Sequence, residues 1–100
     1  MKKTFSKTKP ECKVTFQVPA DILAGSKKAA VVGEFNDWNP ETNPVRVVKG
    51  AGSVSVALET GKSYQYKFII DGERWENDPE ADSYIANEFG EANSIVNCVK

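Results

Sequence analysis

The fold of this chain is decided by the stretch Tyr64-Gln65-Tyr66-Lys67-Phe68-Ile69-Ile70-Asp71-Gly72. Aromatic and β-branched residues dominate it, and such residues favour a β-strand. Because successive side chains of a strand point to opposite faces, the alternation predicts two faces of different composition. One face carries Tyr64, Tyr66, Phe68 and Ile70, and the other carries Gln65, Lys67 and Ile69.

The remaining strands are predicted from shorter stretches on either side. Asp71-Gly72 is typical of a type I′ hairpin turn, so the chain should return beside this strand from Arg74 and Trp75. Short apolar stretches bounded by Gly, Pro or Asn predict further strands at residues 13–18, 29–35, 45–48, 53–58 and 94–99. About seven short strands with frequent turns and no long amphipathic helix predict an all-β, immunoglobulin-like β-sandwich.

Length and composition indicate a single domain. The chain has 100 residues, of which 40% are hydrophobic and 27% charged, as is typical of a globular domain. Lysines crowd residues 1–11 with no apolar run behind them, so we expect a flexible basic N-terminal arm rather than a signal peptide. Residues 12–100 would form the β-sandwich. No stretch is apolar and long enough to cross a membrane, and the expected compartment is the cytoplasm.

Charge and cysteine content argue against several kinds of site. The formal net charge of −1 gives no electrostatic argument for nucleic-acid binding. The acids between Asp71 and Glu91 lack the spacing of a calcium loop, so they are expected to be solvated, and no metal or cofactor is predicted. Cys12 and Cys98 have no zinc-ligand spacing. A disulfide between terminal strands is possible, but two buried thiols are favoured in a reducing cytoplasm.

The residues that common catalytic sites need are missing. The chain has no His, which removes the most frequent general base and the usual nucleophilic triads. No glycine-rich phosphate-binding motif is present. Glycoside hydrolysis needs two carboxylates across a cleft, whereas the acids here fall mainly in predicted turns. We therefore expect that the protein is not an enzyme and has no catalytic residues.

The two tryptophans are the strongest candidates for a binding site. Trp38 follows Gly33-Glu34-Phe35-Asn36-Asp37, and Trp75 follows the Asp71-Gly72 turn. A flat apolar ring in a polar turn stays partly exposed unless another flat surface covers it, and a sugar ring with hydroxyls at its rim is such a surface. The alternative is that each ring packs against the core or a loop, which is the commoner role of an isolated Trp in a sandwich.

Four stretches resemble, in order and spacing, the family 48 carbohydrate-binding modules. They are residues 32–38, residues 64–72 with Trp75, Asn77-Asp78-Pro79, and Phe89-Gly90-Glu91-Ala92-Asn93-Ser94. The family includes the glycogen-binding domain of the AMP-activated protein kinase beta subunit and the early-set N-terminal domains of isoamylase-type debranching enzymes and branching enzymes. The resemblance covers roughly residues 12–99. It implies an early-set sandwich that binds α-glucans such as glycogen, starch and maltooligosaccharides without catalysis.

The resemblance also implies which residues bind the glucan. Trp38 and Trp75 match the rings that stack on glucose, and Lys67 matches the lysine that donates to sugar hydroxyls. Asn93 matches a hydroxyl-binding asparagine, and Phe89 matches an apolar residue that enters the helical glucan.

Two departures from the family pattern bear on ligand preference. Glu73 and Arg74 separate Gly72 from Trp75 where the kinase domains have one residue, which would change the aim of the Trp75 ring. Phe89 stands where the kinase domains have leucine, so the side chain that probes the inside of a glucan turn has a different shape.

Alternative roles stay open for individual residues and for the whole chain. Lys67, on the outer face of a strand, could simply be solvated; Phe89 could close one end of the sandwich; Asn93 could cap a turn. Gln65 would add a partner for hydroxyls but matches no family position. The alternative function is a docking module for a glycogen- or starch-metabolising enzyme, which it would contact through the basic arm or residues 71–91. A third is weak catalysis on glucans.

Overall fold

A computed structural model describes residues 1–99 of the chain. Within them, nearly all regular structure is β: nine strands, one single-turn helix and one 3-10 turn. The strands form two antiparallel sheets that pack face to face, which confirms the predicted all-β sandwich. No helix in this range is long and apolar enough to span a bilayer.

The elements follow one another along the chain with short connections. The strands are β1 Lys2–Phe5, β2 Glu11–Val18, β3 Ala29–Gly33, β4 Arg46–Val48, β5 Ala51–Glu59, β6 Lys62–Ile70, β7 Arg74–Glu76, β8 Ser83–Ala86 and β9 Ala92–Cys98. Helix α1 spans Ala20–Leu23, and the 3-10 turn spans Glu34–Asn36. Sheet one has the strand order β1-β2-β5-β4. Sheet two has the order β3-β6-β9-β8, and β7 also pairs with β6.

The core lies between the two sheets and is filled by the apolar faces that the alternation predicted. On β2 these are Val14, Phe16 and Val18, all buried. Tyr66 and Phe68 meet them from β6, and the ring centroids of Phe16 and Tyr66 are 4.8 Å apart. Burial of each large apolar side chain stabilises the fold by about 2 kcal/mol, so the core fixes which face of β6 points away from it.

The outer face of sheet two is also partly covered. Ala30, Val32 and Ile69 are buried there, and the ring of Trp38 packs against them. In the β3–β6 pairing, Ala30 lies opposite Ile69 and Val32 lies opposite Lys67. This face therefore has an apolar part beside β3 and a polar part along β6 and β9, and Lys67 stands where they meet.

The start of the chain is not the flexible arm that the sequence analysis expected over residues 1–11. Lys2–Phe5 form the edge strand β1, which pairs antiparallel with β2. The amino group of Met1 lies 2.9 Å from Glu80 Oε1, and Lys3 Nζ lies 2.5 Å from Asp82 Oδ2. Glu80 and Asp82, which were expected to be solvated, thus pair with the amino group of Met1 and with Lys3, and the pairing holds β1 against the domain.

Smaller differences concern the ends of elements. β3 ends at Gly33 rather than at residue 35, because the chain turns there; a Cβ at Gly33 would lie 2.5 Å from Gln65 O, so only glycine fits. The region 77–90, where no strand was predicted, contains β8, whose four residues are all exposed and give no burial pattern. Cys12 and Cys98 are free thiols, and both are buried.

Candidate functional site

A cleft of about 680 Å³ lies on the outer face of sheet two. Side chains from the turn after β3, from β6, from β7 and from the β8–β9 region line it. They are Trp38, Gln65, Lys67, Trp75, Ala86, Asn87, Glu88, Phe89, Glu91 and Asn93. The five residues that the resemblance implied are all among them, so the fold brings together candidates from separate parts of the sequence.

Trp38 is held by a turn that Asn36 fixes. Asn36 Oδ1 accepts a hydrogen bond from the Gly33 N–H at 3.0 Å, and Asn36 Nδ2 donates to Val31 O at 3.0 Å. Asp37 and Trp38 have positive φ angles of 55° and 58°. Such a conformation costs a non-glycine residue about 1 kcal/mol or more and persists where neighbouring contacts enforce it. Asn36 supplies those contacts.

The Trp38 ring both packs against the sheet and lines the cleft. It is half-buried against Ala30, Val32 and Ile69, and it also lines the cleft. Packing on the sheet restricts the rotamers of the ring before any ligand arrives, which lowers the entropy cost of binding.

Trp75 reaches the cleft because the turn between β6 and β7 has three residues. Ile70 pairs with Arg74, and Ile69 pairs with Trp75, so the Trp75 side chain lies on the same face as that of Ile69. A two-residue turn, typical of Asp-Gly, would place Trp75 opposite Phe68 and on the core face. Because Glu73 lies in the turn and not in the strand, the register keeps the ring outside, where it is 50% exposed.

Arg74 ties this hairpin to the single-turn helix. Its Nη2 donates to Ile22 O at 2.9 Å and to Leu23 O at 3.3 Å, and its Nη1 donates to Glu76 Oε2 at 2.6 Å. Carbonyl groups at the end of a helix have no partner within the helix, and the guanidinium group supplies one. The face of β7 opposite Trp75 is thereby anchored to helix α1.

Lys67 is buried rather than solvated, so the simplest alternative for this residue is wrong. Only 7% of its surface is exposed. Its Nζ donates to Ala92 O at 3.2 Å and lies 3.7 Å from Glu91 Oε2. An ammonium group has three N–H donors, so one remains for a ligand even with both contacts in place.

Asn93 sits in a row of side-chain amides across the cleft. Its Nδ2 donates to Gln65 Oε1 at 3.0 Å, and its Oδ1 accepts from Asn87 Nδ2 at 3.2 Å. It therefore bridges two side chains and does not cap a turn. Gln65 and Asn87 were not among the predicted site residues. The signal for Gln65 was its position two residues before Lys67 on the same face of β6.

Phe89 stands at the tip of a hairpin that Asn87 closes. Asn87 Oδ1 accepts from the N–H groups of Phe89 and Glu91, at 3.0 and 3.1 Å. The Asn87 N–H donates to Glu91 O at 3.0 Å, and the Gly90 N–H donates to Asn87 O at 3.2 Å. Phe89 is 79% exposed, so it does not close an end of the sandwich. It projects beside the cleft from a firmly bonded loop.

The Asn77-Asp78-Pro79 stretch supports the cleft from inside the domain. Tyr66 Oη donates to Asp78 Oδ2 at 2.6 Å, and the Asp78 N–H donates to Ser94 Oγ at 3.0 Å. Ser94 Oγ donates to Asn77 Oδ1 at 2.8 Å, and Asn77 Nδ2 donates to Ala92 O at 2.9 Å. Burial, with Asp78 beside it, raises the pKa of Tyr66 well above its ordinary value. The network ends on the carbonyl group to which Lys67 donates.

The chemistry of the cleft suits an uncharged ligand with many hydroxyl groups. It offers aromatic faces, side-chain amides, one ammonium group and the carboxylates of Glu88 and Glu91. Amides and ammonium groups hydrogen-bond hydroxyls, and aromatic faces cover flat apolar surface. No cluster of three or more His, Cys, Asp and Glu side chains within residues 1–99 could hold a metal ion.

The fold and the cleft agree with a family match. A search of curated proteins finds no significant match. A family model described as the glycogen recognition site of AMP-activated protein kinase matches residues 18–100, a region that contains every residue lining the cleft. Because that region is most of the chain, the chain belongs to this family, the family 48 carbohydrate-binding modules, which bind carbohydrate and are non-catalytic.

Proposed function

We propose that this protein binds α-glucans, such as glycogen, starch or maltooligosaccharides, by stacking Trp38 and Trp75 on glucose rings. The observation that carries the proposal is that the two tryptophans of the chain line one cleft although one lies in the turn after β3 and the other on β7. The family match supports a glucan as the ligand class. The protein would act by binding alone.

The exposure of the two rings supports the stacking that we propose. A pyranose ring presents a flat face of C–H groups, and an indole ring covers that face by dispersion and C–H to π contact. Trp38 is half-buried and Trp75 is half-exposed, so each would lose further apolar surface to a sugar.

Polar groups beside the rings would fix the orientation of the sugar. Lys67 retains a free N–H, and the amides of Gln65 and Asn93 lie in one row across the cleft. A sugar hydroxyl both donates and accepts, so it can bond to either end of an amide. Phe89 projects beside this row and would enter the turn of a helical glucan.

The expected affinity is modest. Lining residues such as Trp75 and Phe89 are largely exposed to solvent, and each hydroxyl contact would replace a contact with water, so the net gain per hydrogen bond is small. A ligand that covers two rings and a few polar groups should bind with Kd of about 10–500 μM.

Tryptophan fluorescence and calorimetry test the proposal together. Maltoheptaose and β-cyclodextrin are titrated into the wild-type protein, and a saturable change is expected because both tryptophans line the cleft. Trp75→Ala should lower the calorimetric affinity about tenfold or more. Val48→Ala is the matched control, since Val48 is also 50% exposed but lies on sheet one.

Two results would contradict the proposal. One is the absence of any saturable signal with millimolar sugar. The other is wild-type affinity in both Trp38→Ala and Trp75→Ala, with the fold retained by circular dichroism; the ligand would then lie elsewhere.

A second candidate function is docking to a glycogen- or starch-metabolising enzyme. The observation in its favour is the edge strand β8, where Tyr84 and Ile85 are 49% and 46% exposed, since exposed apolar residues on a strand edge can pair with another chain. The acids at Glu80 and Asp82 are already paired within the chain. A purified branching or debranching enzyme should bind the wild-type protein and should bind the Ile85→Ser variant much more weakly. Equal affinity for the two proteins would argue against this surface.

A further inference from the structure

The charges around the cleft are unbalanced in favour of acid. Of the described residues that line it, Lys67 is the one cation, whereas Glu88 and Glu91 are both carboxylates. A glucan without substituents is uncharged, so its binding does not require an excess of carboxylates in the cleft. The charges therefore bear on which glucans are admitted.

Glu91 neutralises the one ammonium group before a ligand arrives. Its Oε2 lies 3.7 Å from Lys67 Nζ, and the Glu91 side chain is 67% exposed while that of Lys67 is 9% exposed. Lys67 also donates to Ala92 O at 3.2 Å. The ammonium group is thus a buried part of the cleft lining, and the more exposed carboxylate lies beside it.

The loop keeps Glu91 in this position. The Glu91 N–H donates to Asn87 Oδ1, and Glu91 O accepts from the Asn87 N–H. The backbone of Glu91 is therefore bonded on both sides to the base of the Phe89 hairpin. A charged group that approaches Lys67 therefore meets the Glu91 carboxylate on a loop whose backbone is fixed.

We propose that Glu91 makes the cleft selective for neutral glucan chains and excludes chains that carry phosphate monoesters. This inference rests on the proposed glucan-binding function. A phosphate monoester carries a charge of about −1.5 to −2 near neutral pH and would normally pair with a lysine. Here that lysine is already paired, and the phosphate would face two carboxylates of the same sign.

The test compares two cyclic ligands. A ring of identical glucose units has no ends, so the same group faces the cleft whichever unit binds. One is β-cyclodextrin, and the other is β-cyclodextrin with a phosphate ester on every primary hydroxyl. Calorimetry gives both Kd values for each protein, and the readout is their ratio, phosphorylated over neutral. Glu91→Gln removes the carboxylate at nearly constant shape. Glu88→Gln removes a charge from the same cleft without touching Lys67, and Glu11→Gln removes one from sheet one.

The expected result is a ratio above one in the wild type that falls about fivefold or more in Glu91→Gln, because a free ammonium group then faces the phosphate. Glu88→Gln should lower the ratio less, and Glu11→Gln should leave it unchanged. The wild-type ratio should also fall as salt rises from about 0.02 to 0.5 M, since salt screens exposed charges.

Equal ratios in the wild type and Glu91→Gln would overturn the inference, as would equal effects of Glu91→Gln and Glu88→Gln. In both cases measurable binding of neutral β-cyclodextrin would leave the proposed function intact. If none of the proteins bound the neutral ring, the proposed function itself would fail, and the two failures are thereby distinguished.

Discussion

Trp75 lies directly opposite Ile69 in the antiparallel pairing of β6 and β7. That register decides whether the ring faces the cleft or the core, because a shift of one residue moves a side chain to the other face. This chain has one more residue before Trp75 than the kinase domains it resembles. The added residue is taken up in the turn, so the ring still faces the cleft.

Deleting Glu73 should therefore preserve glucan binding. The remaining Asp71-Gly72 can form a two-residue type I′ turn, and Trp75 would still pair with Ile69. We expect Kd for maltoheptaose within about twofold of the wild type, measured by calorimetry. The contrasting variant exchanges Arg74 and Trp75, which turns the ring to the other face and should abolish measurable binding. Loss of binding in the Glu73 deletion, with the fold intact, would show that the longer turn is itself required.

The sequence predicted the elements whose side chains alternate between apolar and polar. Val14, Phe16 and Val18 on β2 alternate cleanly, and so do the two faces of β6. β8 escaped prediction because all its side chains are exposed, and β1 escaped because its charges find partners only in three dimensions. Local periodicity of apolar residues reports burial on one face of a strand. β8 has no buried face, and the partly buried face of β1 consists of Lys3 and Phe5, so its sequence shows no apolar alternation.

The site, like the fold, could be predicted only in part. The resemblance named residues that the structure brings together around the cleft, but their roles in binding remain predictions. Gln65 and Asn87 were missed because an amide gains its role from neighbours that are distant in sequence, here Asn93 in both cases. The Lys67–Glu91 pair was missed for the same reason.

Lys67→Met should weaken glucan binding without unfolding the protein. Methionine retains an apolar chain that fills the buried space but cannot donate to a sugar hydroxyl or to Ala92 O. We expect about tenfold weaker binding of maltoheptaose. Lys62→Met is the control, since Lys62 is exposed and pairs with Glu59 at 3.4 Å, outside the cleft. Wild-type affinity in Lys67→Met would assign the lysine a purely structural role.

Asn87→Ala should loosen the hairpin that carries Phe89. The substitution removes the acceptor for two backbone N–H groups, so amide hydrogen exchange at residues 89 and 91 should accelerate and β-cyclodextrin should bind several times more weakly. Ser6→Ala is a matched control, because Ser6 Oγ accepts from the N–H groups of Thr8 and Lys9, at 3.2 and 3.1 Å, in the connection between β1 and β2, which does not line the cleft. Unchanged exchange in Asn87→Ala would show that the backbone alone fixes the loop.

Stability should fall at alkaline pH because a buried thiol resists ionisation. Burial, with the Cys12 thiol beside it, raises the pKa of Cys98 from 9.0 to about 11. The folded state therefore holds a proton that the unfolded chain releases above pH 9, so the contribution is complete below pH 9 and is lost as pH rises towards 11. Urea unfolding at several pH values should show that the free energy of unfolding falls by about 1–3 kcal/mol between pH 9 and pH 11.

Cys98→Ala separates this effect from the tyrosines. Burial also raises the pKa values of Tyr64 and Tyr66. Because the ordinary pKa of tyrosine is 10.0, these two residues affect stability only at a higher pH than Cys98 does. Between pH 9 and 10 the variant should therefore show a flatter decline than the wild type. An identical slope in both proteins would mean that the Cys98 thiol ionises in the folded state as it does in the unfolded chain.

Deleting residues 2–5 should lower stability and leave glucan binding unchanged. β1 pairs with β2 on sheet one, and the half-buried Phe5 packs against the core, so its loss should reduce the free energy of unfolding by about 2 kcal/mol or more. The cleft lies on sheet two, and β1 contributes no residue to it. Phe5→Ala should account for part of the loss. If β1 pairs with β2 in solution, its deletion must lower the urea midpoint. An unchanged midpoint would therefore show that residues 2–5 do not pair stably and behave as a flexible arm.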